Sequence, residues 1–191
     1  MDQSSRLEKI SHRDKKISAI IEELNSTNPD SSYYLLIMVG PYKAGKKDLF
    51  SKIEKTVGGF HEIDLRDIIK LNEEESFKNI DDTFKYIGET EKNLLLKHGD
   101  ALAGEYTGFT YSSTRYATPQ EKYLLKKIKS SGKLVLIDME EPENIDKTLE
   151  RTAQKAIIFD KPGSTVGRFF WKLKQIHVHG HTFANERPQK A

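Results

Sequence analysis

Two patterns of apolar positions alternate along the chain. Unbroken apolar runs at 33–40 (YYLLIMVG), 133–140 (KLVLIDME) and 155–162 (KAIIFDKP, closed by Pro162) each read as a strand buried on both faces. The stretch 59–69 (GFHEIDLRDII) reads as a further strand leading into a turn. Elsewhere the apolar residues recur at steps of three and four. Leu7, Ile10, Ile17, Ile20, Ile21 and Leu24 form one stripe and predict an N-terminal helix over 5–25, capped by Ser4 or Ser5. Leu49, Ile53 and Val57 predict a helix over 46–57. Thr118, then Glu121, then Leu124, Leu125 and Ile128 predict a capped amphipathic helix over 118–132 that ends at Gly132. Helices are also predicted over 143–154 and 164–176, while 70–116 is polar with short helical pieces.

Strands that alternate with helices imply a parallel sheet with helices on both faces. The turn-rich stretch 25–32 (NSTNPDSS) separates the N-terminal helix from the rest. The expected organisation is therefore an N-terminal helix and linker over 1–32, a core over 33–175 and a polar tail over 176–191. With 191 residues there is room for one sizeable core.

Charge adds little direction. Lys and Arg number 31 against 29 acidic residues, a formal net charge of +2, so no global field argues for nucleic acid or an anionic membrane. The absence of cysteine excludes disulfides, thiolate metal sites and a thiol nucleophile. No apolar run approaches the roughly 20 residues that a membrane helix needs, and the expectation is a cytoplasmic protein.

The strongest motif joins the first buried run to the helix after it. "GPYKAGKKDL" (40–49) fits Gly-x-x-x-x-Gly-Lys through Gly40, Gly45 and Lys46, in the strand, glycine loop, helix context of a phosphate-binding loop. Such a loop works because successive backbone N–H groups and a helix N-terminus converge on phosphates while the lysine reaches their outer oxygens. ATP or ADP is the expected ligand, with Gly40, Gly45, Lys46 and Lys47 around its phosphates. Lys47 stands where a hydroxyl would hold Mg²⁺, and a lysine cannot ligate a cation, so Mg²⁺ is left open. The fold class this predicts is α/β, a three-layer arrangement of the P-loop NTPase type with a mainly parallel sheet. A second carboxylate candidate follows the run "LVLIDMEE": Asp138 could serve a metal and Glu140 could act as a base, with Arg115 or Arg151 clamping a phosphate, as in a small nucleotide or metabolite kinase. The plainer alternatives are a glycine turn with no ligand and an Asp138 that caps a turn.

The segment "KYIGETEKNL" (85–94) resembles the loop of AAA+ ATPases in which an aromatic, an aliphatic residue and Gly-Glu line the hexamer pore. Other segments resemble that family in its order: 60–69 its second strand, 94–104 its Walker B strand, 115–128 its next helix, 133–146 its sensor 1 strand, and 148–162 its arginine-finger helix and last core strand. The resemblance implies that Tyr86 and Ile87 contact a polypeptide and that Arg151 is a residual phosphate-facing cation. The departures fall on catalysis: Lys97 and His98 replace the Asp-Glu pair, Glu140 stands at the sensor asparagine, Thr152 and Gln154 stand where further arginines sit, and no helical lid follows. The expectation is a pseudo-ATPase that binds a protein partner, an active AAA+ relative among the candidates, with a nucleotide held statically. An active small kinase and a nucleotide-independent adaptor stay open. Lastly, His177, His179 and His181 read first as incidental histidines of a polar tail, with a Zn²⁺ or Ni²⁺ site on a strand, where alternate positions share one side, as the minor alternative. Phe169, Phe170 and Trp171 read as core or as a partner-facing patch.

Overall fold

The computed structural model describes residues 7–26, 33–103 and 117–161. The chain divides into two compact units, Met1–Phe159 and Asp160–Ala191; of the second, only Asp160 and Lys161 are among the described residues. Among the described residues, the first unit is built on six parallel strands: β1 (Glu8–Ser11), β2 (Tyr34–Val39), β3 (Phe60–Asp64), β4 (Asn93–Lys97), β5 (Leu134–Met139) and β6 (Lys155–Ile158). Their order across the sheet is β1-β6-β2-β5-β4-β3. The helices are α1 (Lys16–Ser26), α2 (Lys43–Val57), α3 (Leu65–Ile68), α4 (Glu73–Gly88), α5 (Pro119–Lys129) and α6 (Lys147–Thr152).

Alternation along the strands divides the core into two layers. Leu35, Ile37 and Val39 of β2 join Val135, Ile137 and Met139 of β5 under α3 to α6. Tyr34, Leu36 and Met38 join Leu134 and Leu136 under α1 and α2. Helices thus cover both faces of the sheet, the three-layer α/β arrangement consistent with a P-loop-like fold. Among the described residues no helix is long and apolar enough to cross a membrane.

Three elements differ from the sequence reading. The predicted N-terminal helix is a strand followed by a helix, because Glu8–Ser11 pairs with β6 at the sheet edge. Leu7 and Ile10 are both buried, but in opposite layers of the core. Residues three apart share one face of a helix and opposite faces of a strand, so their spacing fits both. The second difference is α4, which occupies much of the stretch read as short pieces. Asn72 caps it by accepting from the Glu75 N–H at 3.1 Å, and Glu73, Glu74 and Glu75 complement the positive end of its dipole. Ile80 and Ile87 are fully buried and Phe84 packs beside them, the four- and three-residue steps of a helix that polar neighbours obscure. Third, the helix expected over 143–154 is confined to α6, preceded by a 3₁₀ turn at Pro142–Asn144 and capped by Asp146.

The turn at 27–32, the helix over 164–176 with Phe169, Phe170 and Trp171, Arg115, and the histidines His177, His179 and His181 lie outside the described residues.

Candidate functional site

β2 and β5 are neighbours whose onward connections leave for opposite faces of the sheet, β2 into α2 and β5 toward α6. In an open parallel sheet this reversal makes a crevice at the carboxyl ends of the strands, where ligands settle. The glycine motif starts at that crevice. Gly40 has φ +125°, and a Cβ there would lie 2.5 Å from the Phe159 carbonyl oxygen, so the close approach of the chain after β6 alone demands glycine. Its N–H donates to the Met139 carbonyl at 3.0 Å, tying β2 to the end of β5.

The loop that follows is short. α2 begins at Lys43, so Ala44, Gly45 and Lys46 are already helical, and the Lys46 N–H donates to the Tyr42 carbonyl at 3.2 Å. The Tyr42 ring lies over Gly45, where a Cβ would meet its Cδ1 at 2.4 Å and its Cε1 at 2.6 Å. Behind Tyr42 stand His12, with ring centroids 5.5 Å away, and Phe159, which stacks on His12 at 5.1 Å. Both motif glycines therefore serve close packing within the fold.

Lys46 is also engaged. Only 5% exposed, it places Nζ 2.6 Å from Asp138 Oδ1 and 2.5 Å from the Met139 carbonyl oxygen. A buried ammonium needs a counter-ion and hydrogen-bond acceptors, and the end of β5 supplies both. Asp138 and Lys46, separated by 92 positions in the chain, thus meet across the crevice. Glu140 is next to them on the same strand end and pairs with Lys43 at 2.7 Å. The Lys47 side chain makes no ion pair or hydrogen bond among the described residues and lines a cavity of about 470 Å³. Met38, Phe50 and Leu95 supply apolar parts of that cavity wall; Lys46, Asp138 and Glu140 supply charged parts.

The segment resembling Walker B completes the wall. Lys97 pairs with Glu62, and His98, in the left-handed region at φ 55°, places Nδ1 3.0 Å from Asp64 Oδ2. The Arg66 guanidinium, assisted by His98, holds the Asp64 carboxyl well below the usual carboxylate range. Asp100 has a role that the sequence did not disclose. Its carboxylate accepts from the backbone N–H of Glu140 at 2.7 Å and of Glu141 at 3.1 Å, and from the Asn144 amide at 2.7 Å, fastening the connection after β5. The signal that could have found it is an aspartate three residues past a buried strand, but the N–H groups that donate to it are 40 to 44 positions away and unreadable in order.

Not every predicted site residue reaches the crevice. Arg151 is exposed in the last turn of α6. Its near neighbour Gln154 donates its N–H to Leu35 at the amino end of β2 and accepts the Leu35 N–H at 2.6 Å through its side chain. Arg151 therefore lies toward the amino ends of the strands, away from Lys46, because α6 runs back along the sheet before β6. Tyr86 is 57% exposed and leans on His61 with centroids 5.3 Å apart, but it belongs to the last turn of α4 and not to a loop. Ile87 is 1% exposed and belongs to the core, so it offers no surface to a partner. Among the described residues no group of three or more His, Asp or Glu side chains is placed to hold a metal ion.

The arrangement does not fit ATP or ADP with Mg²⁺ as it stands. The N–H of Lys46 is spent inside the helix, Gly45 is under Tyr42, and the lysine ammonium has its own carboxylate. No known protein family matches the chain, and no curated protein does.

Proposed function

We propose that this chain is a catalytically silent domain of AAA+ ancestry, a pseudo-ATPase that works by binding a protein partner. The observation that carries this reading is the closure of the glycine loop on itself: a helix starting at Lys43, Tyr42 over Gly45, and Lys46 bound by Asp138 and Met139. Each motif residue has a packing or ion-pairing role that needs no nucleotide, while Lys97 and His98 stand where hydrolysis requires carboxylates. Partner binding is supported by Tyr86 and by Leu71, 98% exposed, the large apolar side chains that face solvent among the described residues. An active AAA+ relative remains one candidate partner.

The meeting of Lys46 and Asp138 inside a cavity favours one other reading, a small kinase or NTPase in which an incoming phosphate takes Asp138's place on Lys46. Steady-state turnover of ATP and GTP, with and without Mg²⁺, separates the two. The pseudoenzyme gives none above background. Saturable turnover abolished by both Lys46→Ala and Asp138→Asn would establish the kinase instead.

A further inference from the structure

α5 and α6 cover the same face of the sheet, and each brings one carboxyl group into the seam between them. Glu121 stands in the first turn of α5, where its N–H donates to the Thr118 cap hydroxyl at 3.1 Å. Asp146 caps α6, accepting the N–H groups of Thr148 and Leu149, both at 2.8 Å, on Oδ1. The two residues are 4% and 6% exposed, and Leu124, Leu125, Ile145 and Leu149 belong to the apolar core around them. Glu121 Oε1 and Asp146 Oδ2 are shielded from solvent, and no N–H or hydroxyl group of the described residues donates to either.

Two neighbouring carboxylates cannot both stay ionised in such a place. Two helix N–H groups at the start of α6 donate to Asp146 Oδ1. Glu121 lacks that support. Burial first, and then the negative charge and hydrogen bonding of Asp146, push the Glu121 carboxyl from its ordinary value of 4.5 up to about 8; Lys122 and the Thr118 backbone oppose this. These are the titratable and hydrogen-bonding groups that act on it from α5 and α6.

We propose that Glu121 and Asp146 share one proton and form a pH-sensitive latch that holds the start of α6 against α5. The latch secures one end of the connection between β5 and α6, and Asp100 secures the other end, at Glu140 and Glu141. Loss of the proton leaves two buried negative charges in the seam and loosens α6 there. The sign follows from proton counting. Between 4.5 and about 8 the folded chain keeps a proton that the unfolded chain has released, so this contribution to stability is complete at low pH and disappears as pH rises through about 8.

The test is a carbon-13 NMR titration of the glutamate side-chain carboxyls in the full chain, paired with thermal unfolding of wild type and Glu121→Gln across the same pH range without divalent cations. The latch predicts one glutamate, absent from the spectrum of Glu121→Gln, titrating with a midpoint near 8. It also predicts an unfolding temperature that falls with rising pH in wild type relative to Glu121→Gln. In Asp146→Asn, whose amide oxygen still caps α6, the Glu121 midpoint returns toward the ordinary glutamate range. A Glu121 midpoint in that ordinary range in the wild type, or parallel pH profiles of the two proteins, overturns the proposal. So does rescue of alkaline stability by Ca²⁺ or Mg²⁺ in wild type alone, which would make the pair a cation site.

Discussion

Lys46 and Gly45 show how residues of one motif can be accounted for without its ligand. Lys46 is buried, with Asp138 as its counter-ion and the Met139 carbonyl as a second acceptor. Removing either charge leaves the other short of a partner, although the Asp138 side chain is 36% exposed and regains some water. Lys46→Met and Asp138→Asn should each cost about 1–3 kcal/mol in urea unfolding, and the double substitution less than the sum. Additive losses would mean that the pair contributes nothing. Gly45→Ala should lose a similar ~1–3 kcal/mol, because its methyl group collides with the Tyr42 ring. Trimming that ring with Tyr42→Ala should make Gly45→Ala nearly neutral in the same double-mutant cycle. If Gly45→Ala were harmless with Tyr42 in place, the loop would be more open than the closed arrangement allows.

At the scale of elements, the strands β2, β3, β5 and β6 were legible, while the edge strand β1 and parts of the helices were not. β2 and β5 announce themselves as unbroken apolar runs, and Thr118 with Glu121 marks the start of α5. Leu7 and Ile10 were ambiguous because an interval of three residues suits a helix stripe as well as two faces of an edge strand. α4 was hidden by its acidic first turn and polar outer face, although Asn72 before three glutamates was a usable start signal. Its last turn also separates two residues that the family resemblance grouped together. Tyr86→Ala should change stability by no more than ~0.5 kcal/mol, whereas Ile87→Ala should cost about 2–5 kcal/mol. Chemical unfolding of both variants measures this directly; equal effects would contradict the assignment of one residue to the surface and the other to the core.

For the whole molecule, the alternation of strands and helices carried the fold, and the glycine motif located the crevice at the end of β2. What the order of residues could not supply was distance. The kinase reading set Lys46 and Asp138 in one site, but nothing in the sequence predicts their direct ion pair, joins Asp100 to the backbone at Glu140, or sets Arg151 toward the opposite end of the sheet, because these relations follow from how α2 and α6 cross it. The resemblance points to the catalytic groups whose positions Lys97 and His98 would occupy, but the closed loop is a property of packing around Tyr42 and Phe159. Its central consequence is that nucleotides find no ready cradle. The most direct test is a thermal shift of the full chain with ATP, ADP and GTP at millimolar concentration, each with and without Mg²⁺, beside Lys46→Ala. A ligand at 100 times its dissociation constant stabilises a fold by about 2.7 kcal/mol, several degrees for a domain of this size. The closed loop predicts no shift in the wild type with any nucleotide; a shift that disappears in Lys46→Ala would show that the loop opens to phosphate and would contradict it.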